Sequence, residues 1–208
     1  MKPYFQEGDI SVYLGDCREV LPHVGRFDLL LCDPPYGIDR FTKPASRIMD
    51  KFGRGDIGWD VRLDDETLGA VIGSAEQAII WGGNYYELPP NRCFLIWDKN
   101  NYDRDFADCE YAWTNLDAVA RIHKERPMNM DGGKVHPTQK PLALMLWCIS
   151  KAKNPQSVID PFLGSGTTLV ACKKLGIRGV GIEKEEKYCE IAVKRILNTT
   201  PSLFSEEK

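Results

Sequence analysis

Phe27-Asp28-Leu29-Leu30-Leu31-Cys32-Asp33-Pro34-Pro35-Tyr36 is an apolar run that stops at an acid, two prolines and an aromatic ring. Six residues of that character read as a strand buried on both faces. The prolines fix their own φ and carry no N–H, so the chain cannot continue as helix or ladder. The strand tip therefore becomes a rigid polar clamp. It offers acceptors, the Asp33 carboxylate and the Pro34 carbonyl, beside the flat face of Tyr36. Acceptors next to a stacking plate suit a planar base bearing an amino group. Taken alone, four such letters could equally be a turn that ends a strand.

A second stretch, 127 residues later, narrows the reading. Asp160-Pro161-Phe162-Leu163-Gly164-Ser165-Gly166-Thr167-Thr168 follows the short apolar strand Ser157-Val158-Ile159 and opens a helix. Glycines allow close backbone approach, and a helix start presents free N–H groups. No Lys follows them, so this is not a Walker loop. Leu169 stands where a dinucleotide fingerprint has its third glycine. Glu183 comes seventeen residues after Gly166, at the end of the next strand, placed for a ribose diol. Acids at two strand tips and a backbone loop suit S-adenosylmethionine. Glu183 accepts from the diol, Asp160 faces the cationic end, and loop N–H groups with Thr167 or Thr168 meet the carboxylate. A nicotinamide cofactor stays open at this point.

Between and around these motifs, strands alternate with helices. Strands are expected at Asp9–Leu14, Ala78–Trp81, Cys93–Trp97, Glu110–Trp113 and Gly179–Glu183, with helices over Asp64–Gln77, Leu142–Lys153, Thr167–Leu175 and Glu185–Leu197. That alternation predicts an α/β sandwich with a mainly parallel sheet whose ligands sit at the carboxyl edge. Residues 37–60, polar and glycine-containing, read as a long mobile or functional loop. Residues 121–140 read as irregular and locally basic. Trp81, Trp97 and Trp113 fall on strands and are expected in the core.

Bulk properties bound the rest. The chain has 208 residues, 43% apolar and 27% charged, enough for one domain with a full core. No apolar run is long enough to span a membrane, and the first residues are too polar for a signal peptide. The seven scattered cysteines form no C-x-x-C pair; reduced thiols in a cytoplasmic protein are expected, with no metal site. The net charge of −3 means that contact with nucleic acid must come from local patches.

In residues and in order, the motifs resemble the β-class amino-methyltransferases of DNA, which methylate exocyclic amines of adenine or cytosine. Gly15-Asp16-Cys17 comes first, then Asp33-Pro34-Pro35-Tyr36, then His136-Pro137-Thr138-Gln139-Lys140-Pro141. The Asp160 to Thr168 stretch and Gly181-Ile182-Glu183 follow. The resemblance covers most of residues 9–195 and is weakest over 37–135. It implies a Rossmann-like fold with a seven-stranded, mainly parallel sheet and a circularly permuted motif order. It also implies one methyltransferase domain, with a small target-recognition insertion at 98–135, like phage-borne or orphan enzymes.

The activity implied is direct methyl transfer from S-adenosylmethionine to a flipped-out adenine in double-stranded DNA, with Asp33, Pro34, Pro35 and Tyr36 catalytic. Asp rather than Ser at position 33 favours adenine; cytosine-N4 methylation is the closest rival. RNA or protein-amide methylation and a catalytically silent DNA-binding relative are further ones. Asp16, Cys17, Asp33, His136 and Lys140 are implied to join Asp160, Pro161, Phe162, Gly164, Ser165, Gly166, Thr167, Thr168 and Glu183 around the cofactor. DNA contact is expected from Arg40, Lys43, Arg47, Lys51 and Arg54, and from Arg121, Lys124, Arg126 and Lys134. Homodimers are common in that class, although no seam shows in the sequence.

Overall fold

The computed structural model describes residues 1–37, 61–102, 107–127 and 139–201. Residues 38–60 of the expected loop 37–60, with Arg40, Lys43, Arg47, Lys51 and Arg54, lie outside the described residues, as do Lys134 and His136. Among the described residues nine strands form one sheet: β1 (Phe5–Glu7), β2 (Ile10–Leu14), β3 (Phe27–Cys32), β4 (Ala75–Trp81), β5 (Phe94–Asp98), β6 (Cys109–Thr114), β7 (Arg121–Lys124), β8 (Ser157–Asp160) and β9 (Arg178–Glu183). The helices are α1 (Cys17–Val24), α2 (Asp65–Gly73), α3 (Leu142–Ile149), α4 (Thr167–Leu175) and α5 (Glu186–Leu197). No helix among the described residues is long and apolar enough to cross a membrane.

The strand order is β1-β2-β9-β8-β3-β4-β6-β5-β7. From β2 to β4 all neighbours are parallel, and β6 is the antiparallel member between β4 and β5. The apolar character of β3 follows from its position. Leu29 and Leu31 face a core shared with α3, α4 and α5, while Leu30 and Cys32 face a second core shared with α1 and α2. A strand covered on both sides has no polar face to show. Its single acid, Asp28, ties it to the start of β8: one carboxylate oxygen accepts from the Ser157 N–H (2.8 Å), the Ser157 hydroxyl (2.9 Å) and the Gln156 N–H (2.9 Å).

Three expectations are corrected. Among the described residues the sheet has nine strands rather than seven, because the short β1 and β7 add an edge at each end. The helix expected over Asp64–Gln77 stops at Gly73: the Ser74 hydroxyl and N–H both turn back to the Val71 carbonyl. Ala75 to Gln77 then pair with β3 as the start of β4. The stretch from Arg121, read as irregular, begins with a strand parallel to β5. β6 and β7 also fall within 98–135, so part of the expected insertion is sheet. The three tryptophans are buried, as expected.

The crossovers from β3 and from β8 go opposite ways. The first runs through α2 to β4, the second through α4 to β9, on opposite faces of the sheet. The carboxyl ends of β3 and β8 thus flank a topological switch point, where an open α/β sheet leaves a crevice.

Candidate active site

Leu30 pairs with Ile159, so the strand ends bearing Asp33 and Asp160 are neighbours. Both acids line one cleft of about 550 Å³. Asp16, Cys17, Pro35, Lys140, Pro161, Phe162, Gly164, Ser165, Thr167, Thr168 and Glu183 also border it. The sequence spacing therefore brings most of the expected site together.

The clamp end is more elaborate than expected. The Tyr36 hydroxyl donates to Asp33 Oδ1, and the Tyr86 hydroxyl donates to the Pro35 carbonyl. The Tyr36 ring stacks on Tyr85 at 4.8 Å between centroids, so one face of the expected plate is already covered. Gly82, at φ +67°, closes β4 directly against this ring. A Cβ there would stand 2.0 Å from Tyr36 Cε1. Gly82→Ala should push the ring aside and cut kcat by at least about tenfold with cofactor affinity retained; isothermal titration beside initial rates would check it.

Lys140, implied to be a cofactor contact, lines the shared cleft and reaches the clamp as well. Its Nζ lies 2.5 Å from Asp33 Oδ2 and 3.0 Å from Glu110 Oε2. Glu110 Oε1 in turn meets Lys99 Nζ at 2.7 Å. Burial pushes the Asp33 carboxyl above its ordinary range, against the pull of the Lys140 ammonium. Burial acts the same way on Glu110, but its two lysines outweigh it and hold that carboxyl at about 2. Lys140 is itself driven down by burial and held up more strongly by the two carboxylates, so it stays an ammonium.

At the cofactor end the loop is fastened from within. Glu183 Oε2 accepts from the Gly164 N–H and Oε1 from the Glu185 N–H, each at 2.8 Å. Each oxygen keeps a second lone pair for a diol. Asp160 accepts from the Thr168 hydroxyl (2.6 Å) and the Phe162 N–H (3.1 Å). Arg195 of α5 reaches the Ser165 carbonyl (2.5 Å) and hydroxyl (2.9 Å) and the Thr167 hydroxyl (3.0 Å). The Thr168 hydroxyl thus spends its proton on Asp160, whereas the Thr167 hydroxyl only accepts from Arg195 and keeps its own proton for a carboxylate.

Gly166 also serves packing rather than the cleft. At φ +83°, a Cβ on it would meet Ala192 Cβ of α5 at 2.7 Å. Asp16 caps α1 through the Arg18 N–H and pairs with the Arg18 guanidinium, which holds its carboxyl at about 2. The acidic tip at Asp160 and the tethered Glu183 fit a ribosyl sulfonium ligand.

Of the expected DNA contacts, Lys124 and Arg126 are exposed at the carboxyl edge that carries the cleft. Arg121 starts the same strand, about 10 Å back toward the opposite edge, and is less well placed. Sequence reasoning missed Glu110, Lys99, Tyr85 and Tyr86. The Gly82-Gly83-Asn84-Tyr85-Tyr86 run at the tip of β4 was a signal for the tyrosines. No local pattern marks Glu110.

The N6_N4_Mtase family, described as DNA methylase, matches residues 81–194. Type II methyltransferase M.HinfI of Haemophilus influenzae is 42% identical, over 92% of this chain and 69% of its own length. Type II methyltransferase M2.MboI of Moraxella bovis is 27% identical over the whole of this chain and 96% of its own. The crystal structure of an M1.HpyAVI–SAM complex matches with TM-score 0.60 at 25% identity, over 91% of this chain and 99% of that one. PvuII DNA methyltransferase, described as cytosine-N4-specific, reaches TM-score 0.60 at 15% identity over 97% and 98%, a likeness of fold alone.

Proposed function

The chain belongs to the N6_N4 DNA methylase family, and from that premise we propose that it is a site-specific DNA adenine-N6 methyltransferase. It uses S-adenosyl-L-methionine and acts on an adenine flipped out of double-stranded DNA. The observation that carries this reading is the meeting of Asp33 and Asp160 across one cleft from adjacent parallel strands.

Bound at the Asp160–Glu183 end, S-adenosylmethionine supplies an electrophilic methyl group. Glu183 accepts from its ribose hydroxyls, and Asp160 faces its positive end. At the other end the protein must raise the nucleophilicity of an amine whose lone pair is delocalised into the ring. A carboxylate has about four acceptor sites, so Asp33 has room for an amino hydrogen beside Tyr36 and Lys140. The Pro34 carbonyl takes the second hydrogen. With both hydrogens held, the lone pair points along one direction, which is a near-attack geometry. As the N–C bond forms, the methyl's bond to sulfur would break and leave a neutral thioether, while the nitrogen gives up one proton to Asp33, which is already hydrogen-bonded to it. A duplex base cannot reach so recessed a clamp, hence the flipping.

Lys124, Arg126 and Lys134, with Arg40, Lys43, Arg47, Lys51 and Arg54, are assigned to phosphate contacts. Lys124→Glu with Arg126→Glu should weaken duplex binding equally across sequences and flatten the dependence of log Kd on log salt by about two; fluorescence anisotropy from low to moderate salt tests this. Mass spectrometry of nucleosides from methylated DNA tests the reaction. N6-methyladenosine is the expected product. N4-methylcytosine would move the assignment to the rival base, and no methylated nucleoside would overturn it.

A further inference from the structure

Lys99, Glu110, Lys140 and Asp33 form a line of alternating charge from the end of β5 through β6 to the clamp. The spacings are 2.7, 3.0 and 2.5 Å. The Lys140 and Glu110 side chains are 8% and 28% exposed, and Lys140 also lies over the Trp81 ring at 5.7 Å. Glu110 touches neither the cofactor end of the cleft nor the reacting atoms. Enclosing a carboxylate is costly unless it is paired, and Glu110 is paired on both sides, by Lys99 and by Lys140.

The geometry points to Glu110 as a positioning residue: by taking a share of the Lys140 ammonium, it keeps Asp33 from being locked into a one-to-one ion pair and leaves an Asp33 lone pair for the amino group. This rests on the assignment of Asp33 as the amine acceptor. Among the described residues, the titratable groups facing Asp33 are Lys140, Glu110, the Tyr36 hydroxyl, Cys32 below it and Asp160 on β8. Those facing Lys140 are Asp33, Glu110 and Cys148. Glu110 faces Lys99, Lys140 and Asp33.

The two partners act on Asp33 with opposite sign. Glu110→Gln removes a negative neighbour and concentrates Lys140 on Asp33, so Asp33 protonates at lower pH and accepts more weakly. Lys140→Gln removes the cation, so Asp33 protonates at higher pH. The experiment is the pH profile of kcat/KM for duplex DNA, with S-adenosylmethionine affinity measured alongside. For E110Q the acid limb should move down by about one pH unit and kcat fall about tenfold, with cofactor affinity unchanged. For K140Q the limb should move up. E110D keeps the charge and should keep the wild-type limb, so the test stands on E110Q and E110D even if K140Q does not fold. A merely structural role predicts an unmoved limb with reduced stability. An E110Q limb and kcat equal to wild type would overturn the inference while an inactive Asp33→Ala leaves the acceptor assignment standing. Activity in Asp33→Ala would instead remove the premise.

Discussion

Asp33→Ala should lower kcat by roughly 10³-fold and leave S-adenosylmethionine affinity within about threefold of wild type. The split follows from where Asp33 sits. Its carboxylate bonds Tyr36 and Lys140 at the clamp, whereas the groups suited to ribose and cation, Glu183 and Asp160, are held by the β8–α4 loop and α4. Loss of one partner from a buried ion pair typically costs about 3–5 kcal/mol. Here Lys140 keeps Glu110 at 3.0 Å, so a smaller cost, on the order of 1–2 kcal/mol, is expected, and the variant should fold. Single-turnover transfer of labelled methyl to duplex DNA, with calorimetric titration of the cofactor, separates the two quantities. Transfer at the wild-type rate would remove Asp33 from the chemistry. A matching loss of cofactor affinity would mean that the clamp and the cofactor end are one binding unit.

What the sequence revealed of this site depended on how local the signal was. Asp33 and Asp160 could be paired because each ends an apolar run, and parallel strands present such ends at one edge. Glu183 followed from its distance to the glycine loop. Lys140 is expected in the cleft and lines it, but its pairing with Asp33 and Glu110 is not legible, since a side chain's reach across strands leaves no trace in its own neighbourhood. Glu110 was invisible for the same reason: it matters only because β6 runs antiparallel between β4 and β5 and brings its first turn of strand beside Lys140. The glycine loop misled in one respect. Gly166 looks like a ligand-cradling glycine, yet the atom it makes room for is Ala192 Cβ. The fold errors have equally simple causes. Ala75 continues the helical spacing of Leu68, Val71 and Ile72, and only the Ser74 turn shows that the helix has ended. β7 carries one apolar residue among polar and charged ones, as exposed edge strands do.

Asp160→Asn should remove a pH dependence as well as affinity. Burial, helped by the Asp33 and Glu183 charges, raises the Asp160 carboxyl from its ordinary 3.8 to about 7, although the Thr168 hydroxyl and Phe162 N–H pull the other way. The folded protein then holds a proton between about pH 4 and 7 that the unfolded chain has released. By linkage, the contribution of Asp160 to stability is whole below pH 3.8 and is lost as pH rises through 7. A cation seated beside Asp160 favours the ionised form and expels that proton. Cofactor affinity should therefore rise with pH up to about 7 and level off. Near pH 6 binding should release close to one proton, visible as a heat that scales with the buffer's ionisation enthalpy. Asn keeps an acceptor for Thr168 but neither a charge nor a titration. The variant should bind S-adenosylmethionine roughly 10- to 100-fold more weakly, release no proton, and lack this part of the decline in melting temperature from pH 4 to 7. Wild-type binding with no proton release at pH 6 would show that Asp160 is already ionised before the ligand arrives. The cationic end would then owe its place to shape and to Glu183 rather than to a carboxylate that burial holds in reserve.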